Sequence, residues 1–186
     1  RWSGPSSRRG GPVAEPRASA LDTLLATLPQ RGRVTWIGVR PARRVAPVPV
    51  EAVEARPGQG LTGDRFSGAA ASKRQVTLIQ AEHLAAVGGM LGREAVDPAL
   101  TRRNIVVAGV NLLALRGARF RVGAALLEGT GACAPCSRME EALGPGGFNA
   151  MRGHGGITAR VLEAGVIRVG DEVELVAPGP LGKEEK

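Results

Sequence analysis

The sequence contains no tyrosine, three phenylalanines and two tryptophans. Proteins that hold single-stranded nucleic acid stack bases on aromatic side chains, and this chain has few to offer. Two cysteines are too few for a disulfide framework. No apolar run approaches the ~20 residues that a membrane-spanning helix needs, and no apolar stretch near the N-terminus resembles a signal peptide. A reducing cytoplasm, away from membranes, is the expected setting.

Acidic residues are outnumbered, with 25 Lys and Arg against 17 Asp and Glu, for a net charge of +8. The excess is almost all arginine. Much of it lies early, at Arg1, Arg8, Arg9, Arg17, Arg31, Arg33, Arg40, Arg43 and Arg44. Such charge invites a nucleic-acid reading, with RNA on the basic N-terminal third. A solvated basic tail is the blander explanation. Arginines also suit acidic small molecules such as phosphorylated cofactors.

A length of 186 residues suits one domain. Residues 1–19 hold Arg, Gly, Pro and Ser with a single acid, Glu15, and read as a disordered tail. Their acid-poor, Arg/Ser-rich character also fits a transit peptide. Residues 20–177 form the expected domain, and 178–186 a loose polar tail.

Short apolar segments punctuated by Gly and Pro fill that domain. A helix is predicted from Ala20 to Leu28, stopped by Pro29. A buried strand follows, in which Val34, Trp36 and Gly38 alternate with Thr35, Ile37 and Val39. Further strands are predicted at Val48–Ala55, Gln75–Ile79, Asn104–Ala108, Phe120–Val122, Ala124–Glu128, Ile157–Leu162, Val166–Val169 and Glu172–Val176. Gln80–Leu91 reads as a helix, and Asp97-Pro98 as the start of another. Gly170-Asp171 marks a tight turn. The pattern predicts a mainly β, α+β domain: a closed or nearly closed β-barrel with short helical insertions.

Cys133-Ala-Pro-Cys136 is the most informative segment. It follows a strand ending near Glu128 and a glycine-bearing loop. Ser137 and Glu140 have capping-box spacing, which predicts a helix beginning just after Cys136 and ending at Gly144. A helix start favours a thiolate, and Arg138 adds to the effect. A thiolate attacks sulfur and ligates soft metals. A small buried cysteine, a thioredoxin-like redox pair, and half of a zinc site with His83 or His154 are the alternatives.

Three other stretches carry polar groups. Gly60-Leu-Thr-Gly-Asp-Arg-Phe-Ser-Gly68 is a dense glycine loop, and Arg65, Lys73 and Arg74 offer donors to an anion. In Thr101-Arg-Arg-Asn-Ile105, Arg102 is the arginine expected to point outward, and Arg103, beside Asn104, the one expected to line a pocket. Arg152-Gly-His-Gly-Gly-Ile157 can offer backbone N–H groups of Gly155 and Gly156 to an anion. It lacks the spacing of a nucleotide loop.

In their order, these segments resemble the MOSC family, the C-terminal domain of molybdenum-cofactor sulfurases. The matching features are Gly60-Leu-Thr-Gly-Asp-Arg65, Arg74-Gln-Val-Thr-Leu-Ile79, Arg102-Arg-Asn-Ile105, Cys133-Ala-Pro-Cys136, Gly155-Gly156 with Ala159-Arg-Val161, and the ending Gly165-Val-Ile-Arg-Val-Gly-Asp-Glu-Val173. The resemblance spans residues 33–177. It implies a β-barrel of the pyruvate-kinase type with a pocket around one essential cysteine, matched by Cys136. That cysteine would carry a persulfide or ligate molybdenum held by a pterin cofactor. Arg65, Arg74 and Arg103, with Asn104, Gly155 and Gly156, would bind the cofactor or a small-molecule substrate. Some members reduce N-hydroxylated compounds. The sequence shows no cysteine-desulfurase domain, and pyridoxal phosphate-independent chemistry is the expectation. It also lacks iron–sulfur cysteines, which implies a partner protein that donates sulfur or electrons. Phe66 departs from the histidine many relatives carry after Gly-Asp-Arg, which puts a proton-transfer role there in doubt.

Overall fold

The computed structural model describes residues 19–66 and 68–179. Nearly all of the tail expected at residues 1–19, and most of that at 178–186, lies outside the described residues. In chain order the strands are β1 Gly32–Val39, β2 Val48–Pro49, β3 Ala52–Arg56, β4 Gly60–Leu61, β5 Val76–Gln80, β6 Ile105–Ala108, β7 Arg119–Val122, β8 Ala125–Ala132, β9 Ile157–Glu163, β10 Gly165–Arg168 and β11 Glu172–Ala177. The helices are α1 Ala20–Ala26, α2 Ala81–Met90, α3 Pro98–Thr101, α4 Arg138–Leu143 and α5 Gly147–Ala150.

Seven strands close into a barrel in the order β1-β11-β7-β8-β9-β5-β6 and back to β1. All neighbours are antiparallel except β5 and β6, which the crossover through α2 and α3 makes parallel. A small sheet, β10-β3-β4, packs beside the barrel. Inward positions hold Val34, Ile37, Leu78, Ile105, Phe120, Leu127, Ile157 and Val173, all essentially inaccessible. A second apolar cluster lies outside the barrel wall. Ile79 and Val106 meet Leu84 and Val87 of α2, Met139 and Leu143 of α4, and Met151 after α5. Burying this helical layer fixes the two helices that follow the cysteine loop.

Three expectations need correction. The alternation read through β1 breaks at a bulge between Val34 and Trp36. One extra residue flips the face of everything after it, so Ile37 enters the barrel core and Trp36 packs toward the outer cluster. The single strand expected over Val48–Ala55 is two, because β2 pairs with β1 and β3 with β10. The glycine-bearing segment after Glu128 is strand, not loop. β8 continues to Ala132 with an irregularity at Gly129/Gly131.

Candidate functional site

A cavity of about 500 Å³ opens at one end of the barrel. Its walls come from the loop after β1, the loops around β4 and β5, the end of α3, and the Cys133–Cys136 loop. Both cysteines line it. Cys133 is buried and Cys136 is exposed. Arg40, Arg43, Arg65, Arg74, Arg102, Arg103 and Arg138 also line it, against one carboxylate, Asp64.

Asp64 is already engaged. Its Oδ2 accepts from the backbone N–H of Arg40 at 3.0 Å, from Arg40 Nε at 3.3 Å and from Asn104 Nδ2 at 2.7 Å. Its Oδ1 accepts from the N–H of Phe66 at 3.2 Å. Asn104 is buried and makes a complete set. It donates to the carbonyl of Gly38 and accepts from the N–H and hydroxyl of Thr77. The Gly-Asp-Arg turn is thus tied to β1, β5 and the start of β6, which holds Arg65 at the rim. Asn104 contributes rigidity; its amide atoms face protein rather than cavity.

Both adjacent arginines line the cavity, including Arg102, which was expected to point outward. Arg103 is 6% exposed. Its Nε donates to Gly155 O at 2.8 Å, its Nη1 to Thr101 O at 2.9 Å and its Nη2 to Cys133 O at 2.9 Å. It is a clamp on the cysteine loop. Burial pushes its pKa down, and the nearby Cys133 and Cys136 oppose that shift. Arg102 ends α3 in the left-handed conformation at φ 60°, a placement that costs a non-glycine residue about 1 kcal/mol. Among the described residues its guanidinium has no acceptor, and it faces the cavity. Desolvation, then the positive charges of Arg40 and Arg138, lowers its pKa, while Cys136 opposes the shift. Arg65, Arg74 and Arg138 likewise line the cavity with no carboxylate partner among the described residues. Arg40 and Arg43 belong to this wall and not to a solvated tail.

The capping box expected at Ser137 and Glu140 is absent. Ser137 makes no side-chain cap, and Glu140 instead accepts from the N–H groups of Gly146 and Phe148. Gly144 does end the helix. With six residues, α4 offers only a weak dipole. The positive surroundings of Cys136 come from Arg102 and Arg103, each of which interacts with it electrostatically. A capping box does form at Ser19 and Asp22, on α1.

Gly155 and Gly156 serve close packing. A Cβ on Gly155 would lie 2.0 Å from the carbonyl oxygen of Cys133, and one on Gly156 1.9 Å from that of Leu78. Cys133 N–H donates to Gly156 O at 2.8 Å. This glycine turn holds the cysteine loop against β5. Phe66 supplies an apolar wall to the cavity.

His83 and His154 stack edge to face, with centroids 4.8 Å apart. Among the described residues, no three His, Cys, Asp or Glu side chains gather to hold a metal ion. The cysteine pair is therefore not part of a zinc cage among those residues. The site does fit a metal that arrives inside its own chelate. One exposed thiol supplies a soft ligand, and the arginines supply donors for an anionic carrier.

A closed β-barrel with an arginine-lined, cysteine-bearing mouth defines the class of protein. The MOSC domain model matches residues 62–174, more than half of the chain, and the chain belongs to the MOSC domain family, a family associated with the molybdenum cofactor. The YuaD protein from Bacillus subtilis superposes with a TM-score of 0.68 at 18% identity, covering 80% of this chain and 98% of that one. YiiM from Geobacillus stearothermophilus gives 0.63 at 19% identity, over 78% and 75%. YiiM from Escherichia coli gives 0.58 at 20%, over 78% and 70%. These likenesses are of fold. No curated protein sequence matches the chain. No helix among the described residues is long and apolar enough to cross a membrane.

Proposed function

We propose that this protein binds a molybdenum–pterin cofactor, with the Cys136 thiolate as the protein's ligand to the metal. One observation carries the reading: the exposed cysteine opens into a cavity whose guanidinium groups outnumber its single, already paired carboxylate. Arg65, Arg74, Arg102 and Arg138 would hold the anionic groups of the cofactor. Arg103 keeps the thiol-bearing loop in place without contacting the ligand. When bound, the group supplies two-electron oxidation–reduction. Reduction of N-hydroxylated compounds is the reaction the family resemblance suggests, with electrons from a partner protein.

The test is metal and pterin content of the wild type and Cys136→Ala, expressed with added molybdate. The expected result is both components in the wild type, with the metal lost from the variant. Neither component in the wild type would overturn the reading.

The presence of Cys133 in the same cavity favours a second reading, in which Cys136 carries a persulfide for transfer to a partner. Intact mass after incubation with a desulfurase and cysteine would then show a thiol-labile gain of sulfur. The gain should vanish in Cys136→Ala.

A further inference from the structure

A second cavity of about 470 Å³ adjoins the first and shares Arg102 and Arg138 with it. Three elements build it: the loop from Arg44 to Pro47, the α3 residues Ala99 and Leu100, and Glu141 and Ala142 of α4. Its chemistry differs from that of its neighbour. Val45, Leu100 and the small residues around them make about half of its wall apolar, and Val45 and Leu100 are 41% and 37% exposed. Three arginines face one carboxylate, so the wall is also net positive. Clefts of roughly 300–1,000 Å³ with an apolar lining and a few polar groups are the usual form of small-molecule sites.

Backbone strain points to the same place. Among the described residues, the non-glycine residues with left-handed φ are Arg44, at 68°, and Arg102, at 60°. Both line this second cavity. Neither is a glycine turn of convenience, and strained backbone of this kind concentrates at ligand clamps. The two chain segments that hold the arginines are each bent at the arginine itself.

We propose that this slot binds a small organic anion: an apolar ring or short chain in contact with Val45 and Leu100, and an acidic group held by Arg44 together with Arg102 or Arg138. The wall shared with the first cavity places such a molecule beside the one Cys136 faces. Its assignment as the site of the reactant rests on the cofactor reading above; the binding itself rests on the slot.

Calorimetric titration of the full-length protein with benzoate tests this, with benzamide as the uncharged isostere and inorganic phosphate as the probe of the first cavity. Benzoate should bind, and benzamide about tenfold more weakly for loss of the charge-assisted bonds. Val45→Trp fills the slot from an exposed loop position, and Leu100→Asp sets a carboxylate on its wall. Each should abolish benzoate binding, with folding checked by circular dichroism; Val45→Trp should leave phosphate binding intact, whereas the carboxylate of Leu100→Asp, on the wall that carries the shared Arg102 and Arg138, should weaken it. If one variant does not fold, the other decides. Benzoate that titrates a folded variant as it does the wild type, or no benzoate binding to the wild type, would overturn the proposal. Cys136→Ala should bind benzoate normally. A failure of the cofactor reading would appear separately, as wild-type protein without molybdenum or pterin.

Discussion

The Nη2 of Arg103 donates to the carbonyl oxygen of Cys133 at 2.9 Å, so a buried cation grips the backbone of the loop that presents the exposed thiol. The same guanidinium holds Thr101 and Gly155. Arg103→Leu removes the charge but leaves these buried carbonyls without donors, which should lower stability by about 3 kcal/mol or more. Arg103→Lys keeps the charge but not the planar fork, and should recover only a minor part. Urea denaturation of the three proteins measures this. A loss within ~0.5 kcal/mol of wild type, the usual size of a surface substitution, would remove Arg103 from its role as clamp.

Cys136 is exposed and Cys133 is 4% exposed. Brief treatment of the native protein with iodoacetamide should therefore give one adduct, and peptide mapping should place it on Cys136. In concentrated urea both should react. Equal labelling of Cys133 in the native state would show that the loop opens.

Gly155 and Gly156 lie where a side chain has no room. Alanine at either should reduce stability by about 3 kcal/mol or more, since the atoms met are backbone oxygens that cannot step aside. Gly153 has a left-handed φ of +79°, but a Cβ there would meet nothing within 4 Å. Gly153→Ala should lose only about 1 kcal/mol. Gly156 also has a left-handed φ, of +77°, so the comparison of Gly155→Ala with Gly153→Ala by thermal unfolding separates crowding from backbone strain.

Burial, and then electrostatic interaction with the neighbouring His154 ring, lowers the pKa of His83 in the folded protein. The unfolded chain therefore takes up a proton first as pH falls below the ordinary histidine value of about 6.5. Stability should decline through that window and level off below the folded-state pKa. His83→Gln should flatten this part of the profile of melting temperature between pH 7 and pH 5. An unchanged profile would count against it.

The barrel was legible because strand alternation and glycine punctuation are local signals. Most expected strands fall where the structure has them, and Cys136, Arg65 and Arg74 do share one cavity. What escaped was decided by geometry beyond the local pattern. Arg102 and Arg103 are chemically identical neighbours that both line the cavity, and no local signal says that Arg103 spends its donors on three backbone carbonyls while Arg102, at a left-handed φ, keeps its own free of any acceptor among the described residues. Glu140 had the spacing to cap its own helix, but the N–H groups of Gly146 and Phe148 competed for it and won. Arg40 and Arg43 looked like surplus charge because nothing local ties them to Asp64 or to the cysteine loop.

Barrel closure joins early sequence to late. β1 meets β11 through Gly32 opposite Val173 and Arg33 opposite Glu172, with Arg31 reaching Glu172 and Glu174 across the seam. A ribosome delivers the first of these strands well before the last. Until Glu172–Ala177 emerges, the nascent sheet keeps an unpaired margin along Gly32 and Arg33, and non-local pairing of this kind is slow to form. The charges at residues 31 and 33 stand on that open margin, where they would discourage another chain from docking before the seam is sewn.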